Sequence, residues 1–320
     1  MEIENDKNRN YGEKMEKKLR FLVIFVAFTL IVSTAPETIF AKGKPDFKPI
    51  PARNIELVKK ISVKGPPFWA GGKKEKNAST GVLGELVEGN KYAIVIGISD
   101  YPGDENDLKY ADDDALAVKN ALINWYNFSP ENIILLLNLN ATAQAIFDAV
   151  NEMKSKIKAD DEVIFFFSGH GARGLAYDDD KEAIDEAIVA HDGTDLVYIW
   201  DGQLRSWFAD FNTSRVVFIF DSCLAGGMTD LAATGRIINM ATTERGYAYE
   251  GDIWGHGEFT YYFFIQGINN GKADVFDHNN DGVLEQSFDV TDEEAFDYAK
   301  ANCEYDRPTI SDNFENDLLF

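Results

Sequence analysis

The chain has 320 residues, is 45% hydrophobic and 13% aromatic, and carries 31 Lys+Arg against 54 Asp+Glu for a net charge of −23. That balance excludes a disordered or low-complexity chain, and its sign excludes a binder of nucleic-acid backbone, which needs a basic stripe. Two cysteines are too few for a disulfide scaffold. In chain order, Lys17, Lys18 and Arg20 precede the uncharged run from Phe21 to Val32, and a polar stretch follows to Ala41. A basic start, a short apolar core and a small exit residue predict a signal peptide over residues 1–41, with Met15 as an alternative start. The core is shorter than the ~20 residues of a membrane span. The expected location is therefore secreted or cell-surface, with membrane attachment only if the signal stays uncleaved. Residues 42–90 contain the breakers Gly65-Pro66-Pro67 and Gly71-Gly72 and read as a linker or pro-segment, with one short ordered piece around Ile55–Val63.

From Lys91 the punctuation becomes regular. Tyr92–Ile96, Ile133–Leu137, Val163–Phe167 and Val216–Phe220 are short, continuously apolar runs, the pattern of strands buried on both faces. Between them, Ala115, Val118, Leu122 and Trp125 recur at helical spacing, as do Ile146, Val150, Met153 and Ile157. This alternation predicts an α/β fold, a mostly parallel β-sheet with helices on both faces. Ile237–Ala241 and Phe314–Phe320 are candidate further strands, and Glu258–Ile268 a further helix.

In open α/β sheets the chemistry sits beyond the carboxyl ends of the strands. Ser168-Gly169-His170-Gly171 follows Phe167, and Asp221-Ser222-Cys223 follows Phe220. One of the four histidines and one of the two cysteines thus fall where a site would be built. Alone, a cysteine is more often an inert core residue; the pair, set among glycines, is a sharper signal. A neighbouring histidine promotes the thiolate, and the thiolate attacks a carbonyl. The N–H groups of Gly171 and Cys223 are the candidate oxyanion donors.

These paired motifs, with the opening strand from Tyr92 and the segment Leu108–Ala115, resemble the caspase/metacaspase group of cysteine peptidases. The resemblance is closer to metacaspases, because Asp221-Ser222-Cys223 stands where true caspases carry Gln-Ala-Cys. It implies a caspase-like catalytic domain over residues 91–320 and a cysteine-type endopeptidase, a hydrolase. His170 would be the general base and acid and Cys223 the nucleophile. It further implies that Asp114 and Asp221 line an acidic S1 pocket, which would select protein or peptide substrates with Arg or Lys at P1. Leu224-Ala225 departs from the family's His-Ser after the nucleophile. The acidic residues Asp178, Asp185, Glu186, Asp192, Asp195 and Asp230 resemble a calcium-activation region. Arg236 and Arg245 are candidate self-processing sites.

Calcium has a second sequence signal. Asp277 to Glu285 fits the first nine positions of an EF-hand-type loop, with oxygens at Asp277, Asn279 and Asp281, the turn at Gly282 and the Val283 carbonyl. Phe288 stands at the twelfth position, and Glu294 resembles a displaced closing Glu of a loop over 277–294, with Asp289 and Glu293 as substitutes. Calcium is the expected cofactor. Two other readings stay open: a legumain- or clostripain-like protease or transpeptidase, and a non-catalytic calcium-dependent surface binding module.

Overall fold

A computed structural model describes residues 45–65, 76–178, 184–284, 286 and 288–320; the signal-peptide expectation lies outside them. In chain order the strands and helices begin with β1 (Ala52–Val58), β2 (Ile61–Val63), β3 (Lys91–Gly97), α1 (Ala111–Tyr126), β4 (Ile133–Leu137), α2 (Ala143–Lys156) and β5 (Glu162–Ser168). There follow β6 (Gly171–Ala176), β7 (Asp185–His191), β8 (Leu196–Trp200), α3 (Asp201–Phe208), β9 (Val216–Asp221) and β10 (Arg236–Met240). The chain closes with β11 (Tyr249–Gly251), β12 (His256–Gly257), α4 (Glu258–Thr260, running on as a wider helix to Asn269), α5 (Asp292–Asn302) and β13 (Thr309–Asp312).

The central sheet has the order β13-β10-β9-β5-β3-β4. All its neighbours are parallel except β13, which runs antiparallel to β10. The apolar runs of β5 and β9 are fully buried, because helices cover both faces. On one face Ile146, Val150, Met153 and Leu204 from α2 and α3 pack on Phe165, Phe167, Phe218 and Phe220. On the other, Val118 and Leu122 of α1, Phe263 and Phe264 beyond α4, and Phe296 of α5 meet Phe166, Val217 and Ile219. Period-2 alternation of the strand side chains feeds the two cores in turn. Thr142 caps α2 by accepting from Ala145 N–H at 3.1 Å, and Thr291 with Glu294 forms a capping box at the start of α5. No helix among the described residues is long and apolar enough to cross a membrane.

Two strand expectations change. Ile133–Leu137 is the edge strand β4, half-buried after Ile133; an apolar run can lie at an edge when α1 and α2 shield its faces. The last strand is Thr309–Asp312 and not Phe314–Phe320. Asn316 sits at φ +66° and breaks that run, while Leu318 and Phe320 still bury as anchors. The expected strand at Ile237 and helix from Glu258 form.

Residues 52–63 enter the architecture directly. β1 pairs antiparallel with β6 in the sheet β1-β6-β7-β8, and β2 pairs parallel with β11 in the small sheet β12-β11-β2.

Candidate active site

Strands β5 and β9 end side by side, with Ser168 in register with Asp221. The chain then turns at each end, so His170 and Cys223 both emerge at the carboxyl edge of the sheet. Directly after Cys223, Leu224 adopts the left-handed conformation at φ +61°. Its N–H donates to Gly246 O at 3.0 Å and its carbonyl accepts from Gly227 N–H at 3.0 Å. A non-glycine residue holds such backbone only when its surroundings over-determine it. Gly171 allows the two turns to close, since a Cβ there would run into the Cys223 carbonyl.

His170 is buried and held on three sides. Its backbone N–H donates to Tyr101 Oη at 3.1 Å, and its ring stacks on Tyr101 with centroids 4.9 Å apart. Nε2 lies 2.8 Å from Asn106 O. A carbonyl only accepts, so Nε2 carries the proton and Nδ1 the lone pair. That lone pair accepts from Lys60 N–H at 3.1 Å. Burial pushes the His170 pKa down to about 4. Cys223 is buried as well, and its Sγ accepts from Ala248 N–H at 3.2 Å. Burial pushes its thiol up to about 12. In this form the two groups rest neutral rather than as a thiolate–imidazolium pair.

The acidic pair expected from the resemblance meets beside them. Asp114, in the first turn of α1, and Asp221 are both fully buried. Asp114 accepts from Ser168 Oγ–H at 2.8 Å and from Gly257 N–H at 3.0 Å, and lies 3.0 Å from His256 Nδ1. Asp221 accepts from Thr260 Oγ1–H at 2.6 Å and Thr260 N–H at 3.0 Å. Between them sits Lys60, with Nζ 2.6 Å from Asp221 Oδ1, 3.6 Å from Asp114 Oδ2 and 3.1 Å from Ser168 Oγ. Burial alone would lower the lysine pKa, but Asp221, Asp114 and Glu250 raise it, so the ammonium stays charged. Gly257 forms one wall, where a Cβ would strike Asp221 and Lys60 Nζ.

Neither Lys60 nor His256 was assigned a role from the sequence. His256 lies between Gly255 and Gly257. Lys60 lies in the short ordered piece around Ile55–Val63, and its inward direction, alternating with Val58, comes from the structure.

Among the acidic groups, Asp178, Asp185 and Asp201 each bring a carboxylate oxygen within 4.8 Å of the others. Asp201 was not foreseen; it opens α3 straight after β8. Burial pushes its pKa up to about 9, with Asp230, Glu186 and Asp178 adding to the rise. The all-oxygen donor set fits a hard divalent cation, whose charge would offset the crowding of carboxylates. Asp230 pairs with Arg205, whereas Asp192 caps its own turn by accepting from Thr194 and Asp195 N–H. Gly227, four residues past Cys223, packs against Glu186, so the cluster adjoins the turn that carries Cys223.

In the loop from Asp277, that carboxylate accepts from Asp281 N–H and Gly282 N–H at 3.1 and 2.8 Å. Asn279 accepts from Asp281 N–H, and Asp281 from Val283 N–H. Val283 is exposed. Glu294 accepts from Val275, Phe276 and Thr291 N–H, each at 2.9 Å, and Asp289 from Asn279 N–H at 3.4 Å. One self-processing candidate changes: Arg236 is buried in β10, donating to Leu231 O and Phe208 O, whereas Arg245 is exposed. Both cysteines are free thiols.

A histidine and a cysteine at the carboxyl ends of adjoining parallel strands, beside a buried carboxylate pair, describe a caspase-fold peptidase domain. Comparison with known proteins refines that class. Residues 91–232 match the family model of the metacaspase, peptidase C14 domain. The chain is 31% identical over 150 residues to Metacaspase-4 of Arabidopsis thaliana, covering 44% of this chain and 35% of that protein. It is 27% identical over 156 residues to Metacaspase-1 of Schizosaccharomyces pombe, covering 46% and 36%. The chain therefore spans little more than a third of the length of these curated relatives. The crystal structure of protein GSU0716 from Geobacter sulfurreducens shares the fold, with a TM-score of 0.52 at 14% identity over 70% of this chain and 93% of that one. Over residues 91–232 the chain is thus metacaspase-like, a cysteine peptidase domain by that similarity.

Proposed function

We propose that this protein is a secreted or cell-surface, calcium-assisted endopeptidase that cuts after Lys or Arg. The observation that carries the specificity is the Lys60 ammonium held between Asp221 and Asp114. A site that buries one lysine side chain with its charge intact can bury that of a substrate. Two carboxylates also suit the planar fork of Arg. In the working cycle Cys223 gives its proton to His170 Nδ1 and its sulfur attacks the carbonyl carbon after the basic side chain. The oxyanion forms near the N–H groups of Gly171 and Cys223, and His170 then protonates the leaving amine. Calcium would be held by Asp178, Asp185 and Asp201, next to the turn after Cys223, with Asp277, Asn279, Asp281, Val283 and Glu294 as a second candidate set. Export is supported by the basic-then-apolar amino end of the sequence.

The test is hydrolysis of fluorogenic peptides ending in Arg, Lys, Asp or Asn by the reduced chain and by Cys223→Ala, with calcium and with chelator. Cleavage after Arg or Lys, by the chain as it stands or after limited proteolysis, that vanishes in Cys223→Ala and weakens on chelation is the expected result. Cleavage after Asp or Asn would leave the nucleophile and remove the S1 assignment. A folded, reduced protein that cuts none of them in calcium, even after limited proteolysis, would favour the binding module.

A further inference from the structure

We infer that the segment Val58–Val63 is a built-in inhibitor, laid along the cleft in the chain direction opposite to that of a substrate, so that Lys60 fills the basic pocket without presenting a cleavable bond. This rests on the reading of Asp114 and Asp221 as the P1 pocket.

The segment is fastened on both sides of the pocket. Val58 pairs with Gly171 on β6, the residue directly after His170. Ile61, Ser62 and Val63 pair with Tyr249, Glu250 and Gly251 on β11, and Ser62 Oγ–H donates to Glu250 Oε1 at 2.9 Å. Lys59 points out and donates its Nζ–H to Glu105 O at 2.6 Å. Lys60 alone turns into the pocket, and it is only 5% exposed.

The backbone at Lys60 is arranged against cleavage. To cut after a P1 residue, the Cys223 thiolate adds to the P1 carbonyl carbon and the C–N bond to the next residue breaks. His170 then delivers its proton to that leaving nitrogen. Were Lys60 a productive P1, the leaving nitrogen would be that of Ile61. Yet Ile61 N–H donates to Ala248 O at 2.9 Å. The amide facing His170 Nδ1 is that of Lys60 itself. Cleavage requires the Ile61 amide at His170, and the Lys60 amide stands there instead, with the Ile61 amide on Ala248 O. Reversing the chain while keeping the side chain in the pocket gives that arrangement.

The same contact disables the base. Nδ1 holds the only lone pair His170 has, because Nε2–H is directed at Asn106 O. With Lys60 N–H on it, that lone pair is not available for the Cys223 proton. The bond between Lys59 and Lys60 is no better placed: its P1 side chain would be Lys59, which lies outside the pocket on Glu105.

The experiment compares the full chain with Lys60→Met, Lys60→Ala and Lys60→Arg in calcium, reading hydrolysis of Arg- and Lys-ending peptides. Lys60→Met and Lys60→Ala should gain about tenfold or more in kcat/KM, mainly through KM, because the pocket is released to substrate. Lys60→Arg, which restores the cation, should stay inhibited. In a Cys223→Ala background, p-aminobenzamidine fluorescence should report binding to Lys60→Met and none to the parent, a readout independent of turnover. A synthetic peptide of residues 57–63 should compete with substrate on Lys60→Ala and stay intact by mass. Equal hydrolysis by parent and Lys60 variants, or equal p-aminobenzamidine binding, overturns the inhibitor and leaves the basic pocket standing. A Cys223-dependent cut at Lys59–Lys60 or Lys60–Ile61 shows a substrate instead of a reversed plug. If Lys60→Met is folded yet neither cuts basic peptides nor binds p-aminobenzamidine, the pocket itself is wrong, and the inhibitor falls with it.

Discussion

Tyr101 and His170 form one unit: their rings stack at 25°, and Tyr101 Oη accepts from His170 N–H at 3.1 Å while donating to Val189 O at 3.0 Å. Burial raises the tyrosine pKa, so the hydroxyl stays protonated and can act both ways. Tyr101, itself buried, thereby fixes the plane of the His170 ring. Tyr101→Phe keeps the stack and leaves the His170 N–H without its acceptor, a loss of ~1–3 kcal/mol. In a background freed of Lys60, kcat should fall about tenfold with KM little changed. The acid limb of the kcat profile should also move as the imidazole loosens. A variant that loses stability while kcat and its pH profile stay fixed would make Tyr101 a packing residue only.

The carboxylate cluster makes a signed pH prediction. Asp201 titrates near 9 when folded against an ordinary 3.8, so between those values the folded chain holds a proton that the unfolded chain has lost. Its contribution to stability therefore falls as pH rises through that window. Calcium needs the ionised carboxylate and must displace that proton. The rise in Tm on adding calcium should accordingly be larger at about pH 8 than at about pH 6, with up to about tenfold in affinity per pH unit while one proton is displaced. Asp201→Asn should remove the pH dependence. A calcium-induced shift that is equal at both pH values argues against Asp201 as a ligand.

Glu294 can be tested as a cap and as a calcium ligand in one series. It accepts from Thr291 N–H and from the amides of Val275 and Phe276. Glu294→Gln retains an acceptor for the capping box and should stay within ~1 kcal/mol of the parent, whereas Glu294→Ala should cost ~1–3 kcal/mol. Denaturant unfolding with chelator present isolates the cap. If Glu294→Gln matches the parent only in chelator and loses the calcium-induced gain, the residue also holds the ion.

Any self-cut between Cys223 and β11 should fall after Arg245 and not after Arg236. Arg245 lies in an exposed turn, while Arg236 is locked in the central sheet with its guanidinium on two carbonyls. A protease needs an extended, accessible segment. Mass spectrometry of aged protein, with Arg245→Gln as control, reads the site directly.

The strands that position the site were legible because β5 and β9 lie between neighbours and are covered on both faces, which forces unbroken apolar runs. The same logic misplaces β4, since an edge strand shielded by helices writes the same letters. His170 and Cys223 stand out in the sequence because each directly follows an apolar strand, at the carboxyl edge where a parallel sheet gathers its loops. Lys60 does not: its short ordered piece lies within a stretch that reads as a linker, and its place in the site comes from pairing with β6 and β11, distant in sequence. Asp201 escaped for a similar reason, because helix starts commonly carry an acid for the dipole, and only the fold sets it against Asp178 and Asp185.

Tethering Lys60 to the domain it plugs makes its occupancy independent of dose. An inhibitor on the same chain acts at an effective concentration of order mM for a short link, and dilution of the protein does not change it. Making more of the chain therefore enlarges the latent store in proportion while the leaking fraction stays constant. A peptide substrate at micromolar levels meets a competitor that never diffuses away, whereas one break in the tether turns that competitor into a dissociable ligand. The switch is thus set by connectivity rather than by abundance.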